Sequence, residues 1–271
     1  MSRKKKTNGK LFTSIYNFLI YIFLYLPIGV VILFSFNTSK RNIVFENFTL
    51  RWYRELFTNQ PLLEAYGNTL IVGLSSTIIA TVIGTLASYG MSKYKFKGKN
   101  IIDILLYIPV VIPEIVLGIS LLAIFNLSRI PMGLISLIIA HGTFCIPFVV
   151  FTVNARLAGF DRSVEEAAMD LGAGRIKTFF TVTLPIILPG VISGAFLSFT
   201  LSIDDIIISF FTTGPGSNTF PLKVMELTKT GITPDVYALS TIVLIVTITL
   251  VMVSQRDSKD SKYKKMKSEN L

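Results

Sequence analysis

The hydrophobic pattern of this chain is one of long apolar runs separated by short polar stretches. Six runs are long enough to cross a bilayer as helices, which takes about 20 residues each. They fall near Leu11–Phe36, Gly67–Met91, Ile101–Phe125, Gly133–Ala155, Leu184–Phe211 and Val236–Ser254. The first reads as a retained span, because its apolar run is too long for a signal peptide and no small-residue cleavage site follows. Pro109 and Pro113 predict a kink in the third. The expected organisation is a basic tail over residues 1–10, a single six-helix membrane domain over 11–254, and a second basic tail over 255–271. A polar loop at about 156–184 interrupts the domain.

Composition agrees with this class. Only 15% of the 271 residues are charged, 51% are hydrophobic and the mean hydropathy is +0.63, where a soluble domain carries about a quarter charged residues. Cys145 and His141 are the sole residues of their types, which leaves little from which to build a zinc cluster or a nucleophile–histidine catalytic group. Neither a GxxxxGK[ST] phosphate loop nor an HExxH pair occurs. Covalent chemistry is not expected of this chain.

The net charge of +10 suggests nucleic acid until its distribution is considered. Nineteen Lys and Arg lie in the two tails and the second and fourth loops, against seven in the first, third and fifth. This asymmetry is a topology signal that places both termini and the 156–184 loop in the cytoplasm. The lysine-rich tails then read as anchors facing membrane lipid.

Within that loop, Ser163 followed by Glu166 has the spacing of a capping box. "EEAAMDL" continues as a helix that Gly172 and Gly174 end, with a second short helix from Arg175 leading to Leu184–Pro185. Ala167 and Ala168 give this helix a low-relief face. Glu166 is expected to close the cap, leaving Asp161, Glu165 and Asp170 to water or a partner.

"EEAAMDLGAGRIKTFFTVTLP" resembles the cytoplasmic signature of ABC importer permeases, with Glu166, Ala167, Ala168, Gly172, Val182, Leu184 and Pro185 on the signature positions. Val182 stands where Ile is commoner. The stretches "KYKFKGK", "HGTFCIPFVVFTVNARLAGFD", "LSFTLSIDDIIISFFTTGP" and "PLKVMELTKTGITPDVYALST" resemble the second permease of spermidine/putrescine importers. The resemblance implies a type I ABC importer permease fold and a non-catalytic subunit working by alternating access. It implies a second homologous permease, an extracytoplasmic polyamine-binding protein, and a cytoplasmic ATPase dimer that holds ATP and Mg and receives the helix around Glu166–Gly172. No cofactor is implied for this chain, and no nucleic-acid partner.

The residues speak to cargo separately. Glu114, Asp204 and Asp205 lie in predicted spans that contain no Lys or Arg, and Asp103 sits at the cytoplasmic edge of the third. A carboxylate buried in lipid without a partner costs several kcal/mol, so the deeper acids need a counter-charge, a proton or water. Asp204 is placed roughly 28 Å beyond Pro185 at 1.5 Å per residue, near the outer end of its span. Asp205 has helical spacing with Ser198, Ser202 and Ser209, a stripe that reads as the wall of a wet cavity. Two readings stay open: these acids form a path for protonated amines, or they are interfacial groups hydrated or paired with a partner. Trp52 reads as an interfacial anchor or a surface for an ammonium group, and His141 as a satisfied polar contact within the bundle. Another small cation or solute as cargo, and a proton-coupled carrier in which the acids titrate, are the alternatives.

Overall fold

The structure is a computed structural model that describes residues 5–40 and 44–249, and within these it is helical, with one isolated antiparallel bridge, Asn37↔Phe48. In chain order the helices are α1 (Lys5–Phe34), α2 (Arg51–Leu56), α3 (Gln60–Lys93), α4 (Lys99–Val111), α5 (Glu114–Leu127), α6 (Leu134–Leu157), α7 (Ser163–Asp170), α8 (Arg175–Thr178), α9 (Leu184–Asp204), α10 (Ile207–Thr212), α11 (Phe220–Thr230) and α12 (Pro234–Thr249). A π-helical turn, Phe179–Thr183, joins α8 to α9.

Among the described residues four helical stretches are long and apolar enough to span a bilayer: Thr13–Phe34, Gln60–Lys93, Leu134–Leu157 and Arg175–Asp204. A fifth arises if α4 and α5 count as one broken span. Their axes meet at 114°, a far sharper break than the expected kink. The cause is Pro113, which puts Ile112 in an extended conformation (ψ 137°) that ends α4. The fifth expected span is also corrected, because the helix stops at Asp204 and restarts at Ile207 rather than running to Phe211. The end of the sixth, beyond Thr249, lies outside the described residues, as do residues 1–4 and the expected C-terminal tail, whereas residues 5–10 of the expected N-terminal tail begin α1.

Two compact units are present, one from residues up to 63 and from 227 onward, the other Glu64–Glu226. In the first, Trp52 is buried and its indole N–H donates to the Asn37 carbonyl. The Asn37 amide donates to the Val44 carbonyl at 2.8 Å, and its side-chain oxygen accepts the Glu46 amide at 2.9 Å. Phe36 stacks on Phe48 with centroids 5.0 Å apart.

The second unit is built around α6, whose Ala140, Phe144, Cys145, Val149 and Val153 form the core with Leu121, Ile187 and Ile208. In membranes, helix pairing rests on close packing at small residues, and α9 meets α6 through Gly190 and Gly194. A Cβ at Gly194 would stand 2.5 Å from Thr152 Oγ1 and 3.1 Å from the Val149 Cα. The backbone contact cannot swing aside. Gly194→Val is therefore expected to force the helices apart and destabilise the fold by about 1–3 kcal/mol. Gly90→Ala, where nothing lies within 4 Å, is the neutral control, and thermal melting in detergent reads both.

Candidate functional site

Three acidic residues from separate elements converge on one cleft of ≈ 280 Å³, whose walls include Phe144 and Thr200. Glu114 is the first residue of α5, Asp204 the last of α9, and Asp205 the extended residue that follows. Glu114 and Asp204 are solvent-exposed. They differ electrostatically. The positive end of the α5 dipole favours the Glu114 charge, whereas Asp204 adds its charge to the negative, carbonyl-bearing end of a 21-residue helix. A cation placed there relieves the repulsion and meets both the carboxylate and the orphan carbonyls.

Asp205 is engaged elsewhere. Its carboxylate accepts the Ile208 amide at 3.2 Å and the Ser209 amide at 2.7 Å, holding the first turn of α10. On the same oxygen as Ser209, it lies 3.4 Å from His141 Nε2. His141 is 1% exposed. Its Nε2 is 3.1 Å from Ser209 Oγ and its Nδ1 is 2.7 Å from Ser202 Oγ, which also contacts Ser76 Oγ at 3.1 Å. The imidazole thus ties α6 to both sides of the α9–α10 break. His141 is the satisfied interior contact that its position in an apolar run predicts.

The serine stripe needs correction on this point. Ser198, Ser202 and Ser209 are fully or almost fully buried, and the first two continue the Gly190–Gly194 packing face of α9. They line protein interior, not a wet cavity. The acid that faces the open cleft from α9 is Asp204, on the opposite side. Ser202 is committed to His141 and Ser76, and Trp52 to Asn37.

The polar loop forms its two helices as expected, but its caps differ. Arg162 is the N-cap residue of α7 and no side-chain cap is made there. The Ser163 amide donates instead to the Asp161 carboxylate at 3.0 Å, the local turn that Asp favours two residues ahead. With that amide satisfied, the Ser163–Glu166 capping box does not form, and Glu166 projects to solvent. The C-terminus closes as a Schellman motif: the Ala173 amide reaches the Ala168 carbonyl at 3.1 Å, and the Gly172 amide reaches Met169 at 2.9 Å. Gly172 has φ +88°, which L side chains adopt only with strain.

The neighbouring acid carries the structural role. Glu165 is 5% exposed, contrary to its expected exposure. It receives Lys93 Nζ at 2.8 Å, the Tyr89 hydroxyl at 3.1 Å and the Thr183 hydroxyl. Burial pushes its pKa up, but these donors and the Lys93 charge more than offset that and hold it below the usual range. One carboxylate thus fastens α7 to the end of α3 and to the π turn ahead of α9. Pro185, lacking an N–H, cannot donate to the Thr181 carbonyl, and the π turn lies directly before it. Glu166, Ala167 and Gly172 stay exposed and Ala168 half-buried. Leu171, the C-cap of α7, and Ile176 of α8 are 90% and 78% exposed. Leu184 is half-buried and Pro185 exposed at the start of α9.

Sequence reasoning found the three acids but did not separate them, and it missed the Glu165 tie. The signal available for Glu165 was Lys93 at the end of a predicted span, a cation with no partner nearby in sequence.

Residues 80–262 match the family described as "Binding-protein-dependent transport system inner membrane component". The spermidine/putrescine transport system permease protein PotC of Escherichia coli (strain K12) is 41% identical over 252 residues, covering 93% of this chain and 96% of that protein. The putrescine transport system permease protein PotI of the same organism is 37% identical, covering 83% and 82%. Among solved structures, a chain of a bacterial ABC transporter involved in the import of the acidic polysaccharide alginate superposes with a TM-score of 0.74. It is 14% identical and covers 94% of this chain and 98% of that one. At that identity the likeness concerns the fold.

Proposed function

Because the chain belongs to the family of binding-protein-dependent transport system inner membrane components, a multi-pass membrane permease without catalytic activity, we propose that its cargo is a polyamine such as spermidine or putrescine. The observation that carries this reading is the cleft in which Glu114 and Asp204 stand uncovered, the latter at a helix C-terminus. Two exposed carboxylates in a cleft that also has apolar wall suit ammonium groups joined by methylenes. The 41% identity to a spermidine/putrescine permease supports the same cargo. Asp205 and Ser202 act behind this pair as its scaffold.

The full permease has six spans with both termini in the cytoplasm, α12 forming the start of the sixth. It works beside a second homologous permease, and a binding protein delivers cargo to the face bearing the acid cleft. A cytoplasmic ATPase dimer, holding ATP and Mg, receives α7 with its exposed Glu166, Ala167 and Leu171. Closure of that dimer pushes on α7, and the Glu165 tie passes the motion to α3 and α9. Proteoliposomes containing all four components test the proposal. Uptake of labelled spermidine is expected to require ATP and the binding protein. Uptake driven by a proton gradient without ATP would establish the carrier alternative instead.

A further inference from the structure

A second cleft, of ≈ 460 Å³, opens where α3 and α6 end and α4 begins. Lys99, Asp103 and Arg162 line it, with Ser92 and Asn154 between them, and Met91, Leu157 and Phe160 supply apolar wall. Neither the Lys99 nor the Asp103 side chain has an ion-pair or hydrogen-bond partner among the described residues, although one helical turn separates them on α4. Arg162 gives one guanidinium nitrogen to the Ser92 carbonyl, which leaves most of its five donors free. Three half-buried or exposed charges, two positive and one negative, therefore face one cleft unneutralised. Its level is set by the ends of two membrane-spanning helices, where lipid headgroups lie.

From this arrangement we infer that the cleft is a site for an aminophospholipid headgroup, a phosphate joined to a primary ammonium. The phosphate meets Lys99 and Arg162, as in basic pockets between spanning helices that bind lipid headgroups. The ammonium meets Asp103, whose charge is unfavourable to a purely anionic ligand. Met91, Leu157 and Phe160 meet the glycerol and upper acyl region. The inference needs only the spanning placement of α3 and α6 and is independent of the cargo proposed above.

The full chain in detergent is titrated with phosphatidylethanolamine, phosphatidylcholine and phosphatidylglycerol of equal acyl composition, and native mass spectrometry counts the lipid retained. Phosphatidylethanolamine is expected to be retained about fivefold more than phosphatidylcholine, whose quaternary ammonium has no N–H for Asp103. Lys99→Gln should lower that retention by a similar factor. Asp103→Asn should raise phosphatidylglycerol retention above that of the unmodified chain, the opposite direction of effect, so a general loss of folding cannot mimic both. Equal retention of the ethanolamine and choline lipids overturns the inference, as does a phosphatidylglycerol preference in the unmodified chain. Soluble phosphoethanolamine or inorganic phosphate displacing the lipid at equal concentration would also overturn it, marking a site for a free phosphate-bearing solute.

Discussion

Glu165→Ala is expected to cut ATP-driven uptake about tenfold or more while the protein still reaches the membrane. The substitution leaves the Lys93 ammonium, the Tyr89 hydroxyl and the Thr183 hydroxyl without their shared acceptor. Breaking a buried ion pair by removing one partner costs about 3–5 kcal/mol. Lys93 retains 20% side-chain exposure, so a loss of about 2–4 kcal/mol is the better figure here. A loss of that size shifts the attached orientation of α7 by more than an order of magnitude against its detached forms. ATP hydrolysis by the assembled complex should persist, since no catalytic group is touched, so the readout is hydrolysis without transport. Normal uptake by Glu165→Ala would remove this tie from the coupling route. Glu166→Ala, at the exposed neighbour, should instead weaken association with the ATPase without lowering the melting temperature of the isolated chain.

The same contact gives a pH dependence of stability. Glu165 has its carboxyl pKa depressed in the folded state. Its contribution is therefore fully present above the ordinary glutamate value of about 4.3 and is lost as pH falls through the folded value. Melting temperatures measured downward from about pH 5 should fall more steeply for the unmodified chain than for Glu165→Gln, in which no carboxylate titrates at this position.

Joint replacement Glu114→Gln and Asp204→Asn should abolish measurable uptake. Each charge-assisted hydrogen bond to an ammonium is worth about 1.5–3 kcal/mol, or roughly tenfold to a hundredfold. Asp204→Asn alone is expected to have the greater single effect, because its carboxylate stands at the negative end of α9. Asp205→Asn should behave differently despite being adjacent. It weakens the hold on the Ile208 and Ser209 amides and on His141, so its signature is a lower melting temperature. A rise in KM confined to the Glu114 and Asp204 variants supports the division of roles. An equal rise for Asp205→Asn at unchanged stability would count against it.

Much of this molecule is written in its hydropathy. Lipid offers no hydrogen-bond partner to the backbone, so long apolar runs are compelled to be helices, and an all-helical membrane protein follows. Charge asymmetry and the spacing in "EEAAMDLGAG" place a short polar helix between spans. The acids Glu114, Asp204 and Asp205 stand out because carboxylates in apolar runs are costly.

What the sequence by itself did not decide is direction. An amphipathic soluble helix marks its buried face, but protein interior and lipid are both apolar, so a spanning helix carries no such mark. Glu165 and Glu166 differ by one position and point to the tie and to solvent respectively. Asp204 and Asp205 are likewise adjacent, yet the chain turns between them, which exposes one and buries the other against His141. Local propensity does not report the 114° break at Pro113 or the stop of α9 at Asp204. Pro113 marks where the first break falls but not how sharp it is, and the second is held by contacts between residues far apart in the chain, as between His141 and Ser209. The sequence by itself determined that this is a membrane-spanning transport subunit with three unusual acids. Only the tertiary structure decided which two of those acids stand exposed at the cleft and which is buried, because packing, not hydropathy, chooses the side of a helix in lipid.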